Sequence, residues 1–272
     1  MRLRSALYLP ASNARAIAKA RGLACDAVIL DLEDAVAPDA KAAARAQAVA
    51  ALREGWGGRQ LVVRINAPDT DWGQDDVAAL AETDCAAVLI PKVDAPAELQ
   101  ALRARLPRPE VWAMVETPAA VLNLGALAQA ARALRLTTLV AGTNDLAKEL
   151  RCRPDPARTP LLPALAQIVL AARAGGLVAL DGVLNALGDP DRLRAECEQG
   201  AMLGFDGKTL IHPDQIAAAN AAFGPTEAEL AWARRVVDAF AAPEAAGKGA
   251  IRLDGAMVER LHLAEAERLL RG

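Results

Sequence analysis

The segment VWAMVETPAAVLNLGALAQAARALRLTTLVAGTNDL, from Val111 to Leu146, decides the fold. It contains two short apolar runs, separated by an alanine- and leucine-rich stretch with helical spacing. This order is typical of a β-strand, a helix and a second, parallel strand. The first run ends in Glu116 and the second in Asp145. In a parallel barrel, both carboxylates would lie at the mouth where catalytic groups gather.

Similar apolar, β-branched runs recur along the chain and predict the rest of the sheet. They are SALYLP (5–10), DAVILDLED (26–34), LVVRIN (61–66), AAVLIPK (86–92), VWAMVET (111–117), TTLVAGT (137–143), GLVALDGV (176–183) and MLGFDGKTLI (202–211). Helical spacing between them is clear from Ala40 to Leu52, Ala95 to Leu106 and Leu161 to Ala174. Eight nearly continuous apolar runs favour an α/β fold of the (β/α)8 TIM-barrel type over a doubly wound open sheet.

The domain organisation follows from length and from a change of pattern near the end. A single barrel would use most of the 272 residues, so we predict a barrel domain over 1–223 and a helical extension or lid over 224–272. Thr226 and Glu229 have the spacing of a capping box before an amphipathic run. A break at Gly247 and Gly249, a short extended piece and a final helix follow.

Composition and charge exclude several classes of protein. The net charge is −3 and the basic residues are scattered, which argues against a nucleic-acid partner. No apolar run has the length of a membrane span, and the N-terminus lacks the pattern of a secretory signal. The four cysteines are widely separated without a CxxC motif, as expected of reduced thiols. We therefore expect a cytoplasmic protein with no membrane partner.

Glu116 and Asp145 are the candidate metal ligands. A negative charge at the end of a buried strand is costly unless a cation or hydrogen-bond donors satisfy it. Ligation by oxygen alone favours Mg²⁺ or Mn²⁺ over zinc. The alternative is that each acid belongs to the cap of the following helix, for which Asp145 and Thr117 are suitable residue types.

Arg64 is the only charged residue in LVVRIN, so it should lie in the barrel or at its mouth. There its planar guanidinium could hold a substrate carboxylate through two parallel hydrogen bonds, or form a buried ion pair with an acid at a strand end. Asp31, Glu33 and Asp34 follow the second strand and would repel one another unless a cation or Arg64 lay nearby. Either metal-bound waters or a helix cap could use these acids.

Two strand-end lysines keep a second chemistry open. Lys92 and Lys208 occupy positions where a class I aldolase could carry a Schiff-base lysine. The acid pair with Arg64 already forms a complete metal-centred site, which we favour. His212, followed by proline, is typical of a structural turn, and His262 of a packing or surface residue.

The ordered motifs resemble the citrate lyase β-subunit-like branch of the HpcH/HpaI aldolase superfamily, which includes malyl-CoA and citramalyl-CoA lyases. The matching strings are RSALYLPASN, AVILDLEDAV, LVVRIN, VLIPKV, AMVETP, GTNDLAKEL, LDGV, GFDGKTLIHPDQI and LDGAMVERLH. Together they run nearly from end to end, which makes the resemblance specific. Two places depart from the family pattern, Ala11 in PASN and the segment DGVLNALGD from Asp181 to Asp189. They leave open whether the thioester carrier is coenzyme A or an acyl carrier protein.

The resemblance implies a TIM barrel whose Mg²⁺ is held by Glu116 and Asp145, with Arg64 on the carboxylate of a 2-oxoacid. It also implies that Glu33 and Asp34 contact the metal waters. An aspartate in the lid of a neighbouring subunit completes the site in such lyases, and Asp254 matches it; an ordinary Asp-Gly turn is the alternative. The residues expected to hold the 2-oxoacid oxygens through backbone N–H groups are Ala141, Gly142 and Thr117, and those expected to hold the CoA phosphates are Asn13, Arg15 and Lys19.

Three functions are compatible with these expectations. The first is an Mg²⁺-dependent carbon–carbon lyase, which would cleave a short 3-hydroxyacyl-CoA to acetyl-CoA and a 2-oxoacid, with Asp254 protonating the thioester enolate. The second is a malyl-CoA thioesterase with the same site. The third is a citrate lyase β-subunit-like component that acts with partners on a carrier-bound substrate. We expect a homotrimer or hexamer, which would allow donation of Asp254 to a neighbouring subunit, whereas a monomer would not.

Overall fold

The computed structural model describes residues 2–271, which form two compact units. The larger unit contains residues 3–223, and the smaller contains Arg2 with residues 224–271. In the larger unit eight parallel strands close into a barrel in sequence order, with β8 hydrogen-bonded to β1. This arrangement confirms the predicted (β/α)8 TIM barrel.

The barrel elements alternate along the chain. Its strands are β1 (Ser5–Pro10), β2 (Ala27–Asp31), β3 (Gln60–Arg64), β4 (Ala87–Ile90), β5 (Glu110–Val115), β6 (Leu136–Ala141), β7 (Val178–Asp181) and β8 (Gly207–Leu210). Its helices are α1 (Ala14–Ala20), α2 (Lys41–Leu52), α3 (Asp71–Ala81), α4 (Pro96–Arg105), α5 (Pro118–Leu122), α6 (Leu124–Leu134), α7 (Thr143–Glu149), α8 (Leu162–Gly175), α9 (Pro190–Leu203) and α10 (Ile216–Ala222).

The barrel has two apolar layers. Inside it, a cluster that includes Ile29, Leu89, Trp112 and Val140 fills the space between the strands. A larger cluster packs the outward faces of the strands against the helices. Burial on both faces explains why the strands read as continuous apolar runs rather than as an alternating pattern. The packed interior leaves the loops at the strand ends as the place for a site.

The predicted elements agree closely with the observed ones, with one difference. The three helices expected from spacing begin and end within one residue of α2, α4 and α8. The run MLGFDGKTLI is not all strand, because Met202 and Leu203 end α9 and the strand begins only at Gly207. Met202 is 81% exposed, so its apolar character does not mark a strand buried in the sheet.

The smaller unit has its own core and its own hairpin. Helix α11 (Glu227–Ala241) begins with the predicted capping box, in which Thr226 and Glu229 each accept a hydrogen bond from the other's backbone N–H. Strands β9 (Ala250–Leu253) and β10 (Ala256–Glu259) pair antiparallel, and helix α12 (Arg260–Arg271) follows. Four buried side chains form the centre of this core, Ala233, Val236, Val258 and Ala266.

Within residues 2–271, no helix combines the length and the apolar character that crossing a bilayer would require.

Candidate active site

A cavity of about 300 Å³ opens at the carboxyl ends of the barrel strands. Its lining includes four acidic side chains and one basic side chain, namely Asp31, Asp34, Glu116, Asp145 and Arg64. The topology brings them together, since the residues that follow parallel strands in a closed barrel share one rim. Of the three residues predicted to bind substrate, Ala141 and Gly142 line the cavity and Thr117 is not part of its lining.

Glu116 follows β5 directly and is only 2% exposed. One of its oxygens, Oε1, accepts a hydrogen bond of 2.7 Å from the backbone N–H of Lys92. Burial raises the pKa of Glu116 to about 7; the Lys92 N–H opposes this rise, and the negative charge of Asp145 adds to it. A buried carboxylate beside a second acid is a position that a cation would stabilise.

Gly142 makes room for Glu116. A Cβ at position 142 would lie 2.4 Å from the Cβ of Glu116 and 2.6 Å from its Oε2, which no side chain could tolerate. The N–H of Gly142 donates to the carbonyl of Val115 at 3.0 Å. Because it has no side chain, Gly142 lets the backbone approach the Glu116 carboxylate closely. Its own N–H is not free, since it is already bonded to Val115.

Asp145 lies in the first turn of α7 and is partly buried. The N-cap of this helix is Gly142, and no side chain makes a capping hydrogen bond there. Thr117 does have the capping role that the sequence left open. Its hydroxyl accepts the N–H of Ala120 at 3.0 Å and also donates to Asp94.

Arg64 forms the buried ion pair that the sequence left as an alternative. Its Nε donates to Oδ1 of Asp31 at 2.7 Å, and its Nη2 to Oδ2 of the same carboxylate at 2.5 Å. Its Nη1 lies 2.9 Å from Oε2 of Glu33 and 3.8 Å from Asp34. The Tyr8 ring stacks against the guanidinium, with 4.9 Å between Cζ and the ring centroid. One edge of Arg64 is thus committed to Asp31, and the Nη1 side faces the acids of the mouth.

Glu33 is a second strongly perturbed acid. Burial raises its pKa to about 7, against the lowering effect of Arg64. Its Oε2 is buried and, although it lies near Arg64, accepts no hydrogen bond from the described residues. An oxygen in this state has spare capacity for a donor such as a water molecule.

The oxygen donors at the mouth fit Mg²⁺. Among residues 2–271, no group of three or more His, Cys, Asp or Glu side chains is arranged to hold a metal by itself. Glu116 and Asp145 would therefore supply two carboxylates and leave the remaining positions to water and substrate. Mg²⁺ is usually bound in this way, because it gives up its waters reluctantly.

The other sequence candidates lie elsewhere in the chain. Asn13 caps α1 by accepting the N–H of Ala16 at 3.0 Å, and Arg15 and Lys19 are exposed on that helix. Asp254 belongs to the smaller unit, in the two-residue turn between β9 and β10. Both Asp254 and Gly255 have positive φ there, and the Asp254 carboxylate lies 3.2 Å from Nε of Arg235.

Lys208 belongs to a buried network of four charges. Its side chain is fully buried, and its Nζ lies 2.7 Å from Oε1 of Glu196 and 3.6 Å from Asp181. Arg158 donates to both oxygens of Asp181, at 2.7 and 2.8 Å. Two cations and two anions thus compensate one another, so Lys208 is an ion-paired lysine rather than a free amine.

Replacing Lys208 by Met should lower the free energy of unfolding by roughly 3–5 kcal/mol, because Asp181 and Glu196 would then share one cation instead of two. Urea unfolding followed by circular dichroism measures the change. Lys148→Met, at an exposed position of α7, is the control and should change stability by less than about 1 kcal/mol. An equally small loss of stability in both variants would show that the network contributes little to the free energy of unfolding.

Several residues at the mouth were not anticipated from the sequence. Tyr8 is the only tyrosine in the chain. Its position on the first strand was the only feature of the sequence that could have indicated a place at the mouth. Asn144 and Asn185 line the cavity, and the side-chain amide of Asn185 donates to Oδ1 of Asn144 at 2.8 Å. This bond joins the loops after β6 and β7, a pairing that sequence spacing does not reveal.

Comparison with known proteins assigns the chain to a family. The model of the HpcH/HpaI aldolase/citrate lyase family matches residues 4–213, which span the barrel from β1 to β8. The chain belongs to this family.

Individual members of the HpcH/HpaI family are similar over nearly the whole chain. A (3S)-malyl-CoA thioesterase of Cereibacter sphaeroides is 50% identical over 268 residues, which cover 98% of this chain and 93% of the relative. A citrate lyase subunit beta-like protein of Deinococcus radiodurans is 41% identical, with 98% and 96% covered. The crystal structure of CitE from Mycobacterium tuberculosis, in complex with magnesium, acetoacetate and coenzyme A, has a TM-score of 0.79 and 35% identity, covering 98% of this chain and 96% of CitE. The chain is therefore similar to enzymes and to a protein that binds magnesium and coenzyme A.

Proposed function

We propose that this protein is an Mg²⁺-dependent thioesterase that hydrolyses (3S)-malyl-CoA or a closely related short 3-hydroxyacyl-CoA. The observation that carries the proposal is the 50% identity to a (3S)-malyl-CoA thioesterase over 98% of this chain. The acidic cavity at the barrel mouth supports it, because a small hydroxyacid with a free carboxylate suits a site of about 300 Å³ with one arginine.

Glu116 and Asp145 are the proposed ligands of Mg²⁺, which when bound would supply a Lewis acid for a substrate oxygen. Arg64 would orient the free carboxylate of the acyl group through Nη1, the nitrogen that does not bind Asp31 and that lies beside Glu33 at the mouth. Glu33 and Asp34 would accept hydrogen bonds from water at the mouth. The proposed CoA contacts remain Asn13, Arg15 and Lys19.

Hydrolysis requires one proton to leave the attacking water and one to reach the departing thiolate. The new C–O bond forms at the thioester carbonyl, the C–S bond breaks, and malate and CoA are the products. Asp254 of a neighbouring subunit is the proposed group that takes the proton and returns it. Its exposed place in a hairpin turn, with Arg235 as its ion-pair partner, is compatible with such an exchange.

Carbon–carbon cleavage is the second candidate, favoured by similarity to proteins of the citrate lyase β type. Besides the Deinococcus relative, citrate lyase subunit beta of Escherichia coli is 32% identical over 97% of this chain. The same residues would then serve a retro-Claisen step. The 3-hydroxyl loses its proton to water as its carbon becomes the carbonyl of glyoxylate, the C2–C3 bond breaks, and Asp254 of a neighbouring subunit protonates the thioester enolate to give acetyl-CoA. In both schemes the ligands are the same, and only the bond that breaks differs.

Product analysis distinguishes the two candidates. The purified protein is incubated with Mg²⁺ and (3S)-malyl-CoA, with EDTA as the control, and free thiol, malate, acetyl-CoA and glyoxylate are measured separately. We expect metal-dependent release of free CoA and malate in equal amounts. Acetyl-CoA with glyoxylate would instead establish the lyase, and the absence of all four products would contradict both proposals.

A further inference from the structure

Lys41, the first residue of α2, is a buried lysine whose ammonium reaches the loop behind the candidate site. It is 6% exposed. Its Nζ donates three hydrogen bonds of 2.7 Å, to the carbonyl oxygens of Leu32 and Glu33 and to Oδ1 of Asn66. An ammonium has three protons, so its hydrogen-bonding capacity is fully used at this place.

The partners of Lys41 are neutral. Within residues 2–271, no carboxylate oxygen lies within 4.0 Å of its Nζ. Four acids act on it from further away: burial lowers the pKa of Lys41, and Asp31, Glu33, Asp76 and Asp34 oppose that lowering. A buried ammonium without a direct ion pair is costly, so a neutral side chain of similar shape would be the cheaper solution for packing alone.

The carbonyl groups that Lys41 binds belong to the start of the loop after β2. This loop brings the Glu33 carboxylate to 2.9 Å from Nη1 of Arg64. The third partner, Asn66, lies two residues after Arg64, the last residue of β3. Lys41 therefore joins the two backbone segments that carry the two charged groups of this contact.

Asn66 is fixed from its other side as well. Its backbone N–H and its side-chain amide both donate to Oδ2 of Asp76, at 2.9 and 2.7 Å. Asp76 is 1% exposed and accepts Nε of Arg45 at 2.7 Å. The network thus connects α2 and α3 to the ends of β2 and β3. Two donors join it to the Glu33 loop, the Lys41 ammonium and the Asn66 side-chain amide, which donates to the Leu32 carbonyl at 3.0 Å.

We propose that Lys41 is a positioning residue that holds Glu33 against Arg64 and so sets the place of both groups at the mouth. The inference rests on the proposed function for its kinetic consequence, since Lys41 itself would touch neither substrate nor metal. Removal of the ammonium leaves Asn66 Oδ1 without its donor. It also takes one of two donors from each carbonyl, since Leu32 keeps the Asn66 amide and Glu33 keeps the Val36 N–H, and the loop then relaxes away from Arg64.

A double-mutant cycle tests this route. Lys41→Met should lower kcat/KM for (3S)-malyl-CoA by about 10- to 100-fold, as the loss of an orienting partner usually does. Glu33→Gln alone should also lower it. If Lys41 acts through Glu33, the kcat/KM of the double variant should be no lower than that of the less active single variant. A loss equal to the product of the two single losses would overturn the proposal. Arg53→Met, which removes an exposed positive charge just after the same helix, is the control and should leave kcat/KM unchanged.

A crystal structure of Lys41→Met gives a readout that does not depend on activity, and circular dichroism of the variant confirms that it folds. We expect the distance between Glu33 Oε2 and Arg64 Nη1 to grow beyond 4 Å, the limit of an ion pair. An unchanged contact would overturn the proposal. If the wild-type protein attacks no thioester, the proposed function fails, and the structure of the variant still decides the role of Lys41.

Discussion

Replacing Glu116 by Gln should reduce Mg²⁺-dependent turnover of (3S)-malyl-CoA by about 100-fold or more. A metal that acts as a Lewis acid supplies several kcal/mol of transition-state stabilisation, and the variant keeps the shape of the side chain while losing the charge that would bind the metal. Isothermal titration with Mg²⁺ measures the loss of metal binding, and kcat/KM measures the loss of turnover.

The fold should survive this replacement. Because the pKa of Glu116 is raised to about 7 by burial, its ionised form is disfavoured in the folded protein. Stability contributed by its protonated form is present below the ordinary pKa near 4.5 and is lost as pH rises through 7. At pH 8 in EDTA, Glu116→Gln should therefore melt at the same temperature as the wild type or higher.

Glu110→Gln is the matched control for this experiment. Glu110 begins the strand that Glu116 follows, and its carboxylate accepts a hydrogen bond of 3.2 Å from the Thr137 hydroxyl at the opposite end of the barrel. It should retain both Mg²⁺ binding and turnover. An unaltered rate in Glu116→Gln would contradict the metal assignment, and equal losses in both variants would point to a general effect of removing a charge from β5.

Replacing Gly142 by Ala should weaken the same metal site without changing any charge. The new methyl group would lie 2.4 Å from the Glu116 Cβ and 2.6 Å from its Oε2, so the Glu116 side chain must move. We expect the dissociation constant for Mg²⁺ to rise at least about 10-fold, together with a stability loss of roughly 1–3 kcal/mol from overpacking.

Gly125→Ala separates the local contact from the general effect of replacing glycine. A Cβ at Gly125, in α6, would have nothing within 4 Å. This variant should bind Mg²⁺ as the wild type does and gain about 0.5–1 kcal/mol from better helix propensity. Unchanged Mg²⁺ affinity in Gly142→Ala would show that Glu116 is not a ligand or that its position is not critical.

The sequence predicts the barrel well because its signal is local. Apolar runs and helical spacing lie within each element, and eight strands follow from eight runs. The exception, the run beginning at Met202, shows the limit of that signal, since an apolar residue on the exposed end of a helix looks the same as one in a strand. The type and length of an element depend mainly on its own residues, whereas the exposure of a side chain depends on the rest of the fold.

The candidate site is predicted only in part, because partners across the barrel are not local. Strand ends identify Glu116, Asp145 and Arg64 as neighbours of one cavity. The sequence leaves open whether Arg64 binds a substrate or Asp31, and only the register of β2 beside β3 places the two side by side. Family resemblance supplies a role for Asp254, while its positive φ and the adjoining Gly255 are what an Asp-Gly turn alone would give.

Lys41 and Asn66 show what pattern reading overlooks. Asn66 ends the motif LVVRIN, and Lys41 begins an alanine-rich helix, 25 residues earlier in the chain. Nothing in either segment marks the other as its partner. Buried polar contacts of this kind depend on how two helices pack on two strands, so they become visible only with the fold.

The charge of the cavity has a consequence for the order of events in a catalytic cycle. Four acids and one arginine line it, and that arginine is already paired with Asp31. An acyl-CoA with a free carboxylate is itself an anion and meets net repulsion at such an entrance. Occupancy by a divalent cation reverses this local field. Under the proposed function, we therefore expect substrate capture to follow metal loading, so that the apparent KM for the thioester falls as free Mg²⁺ rises.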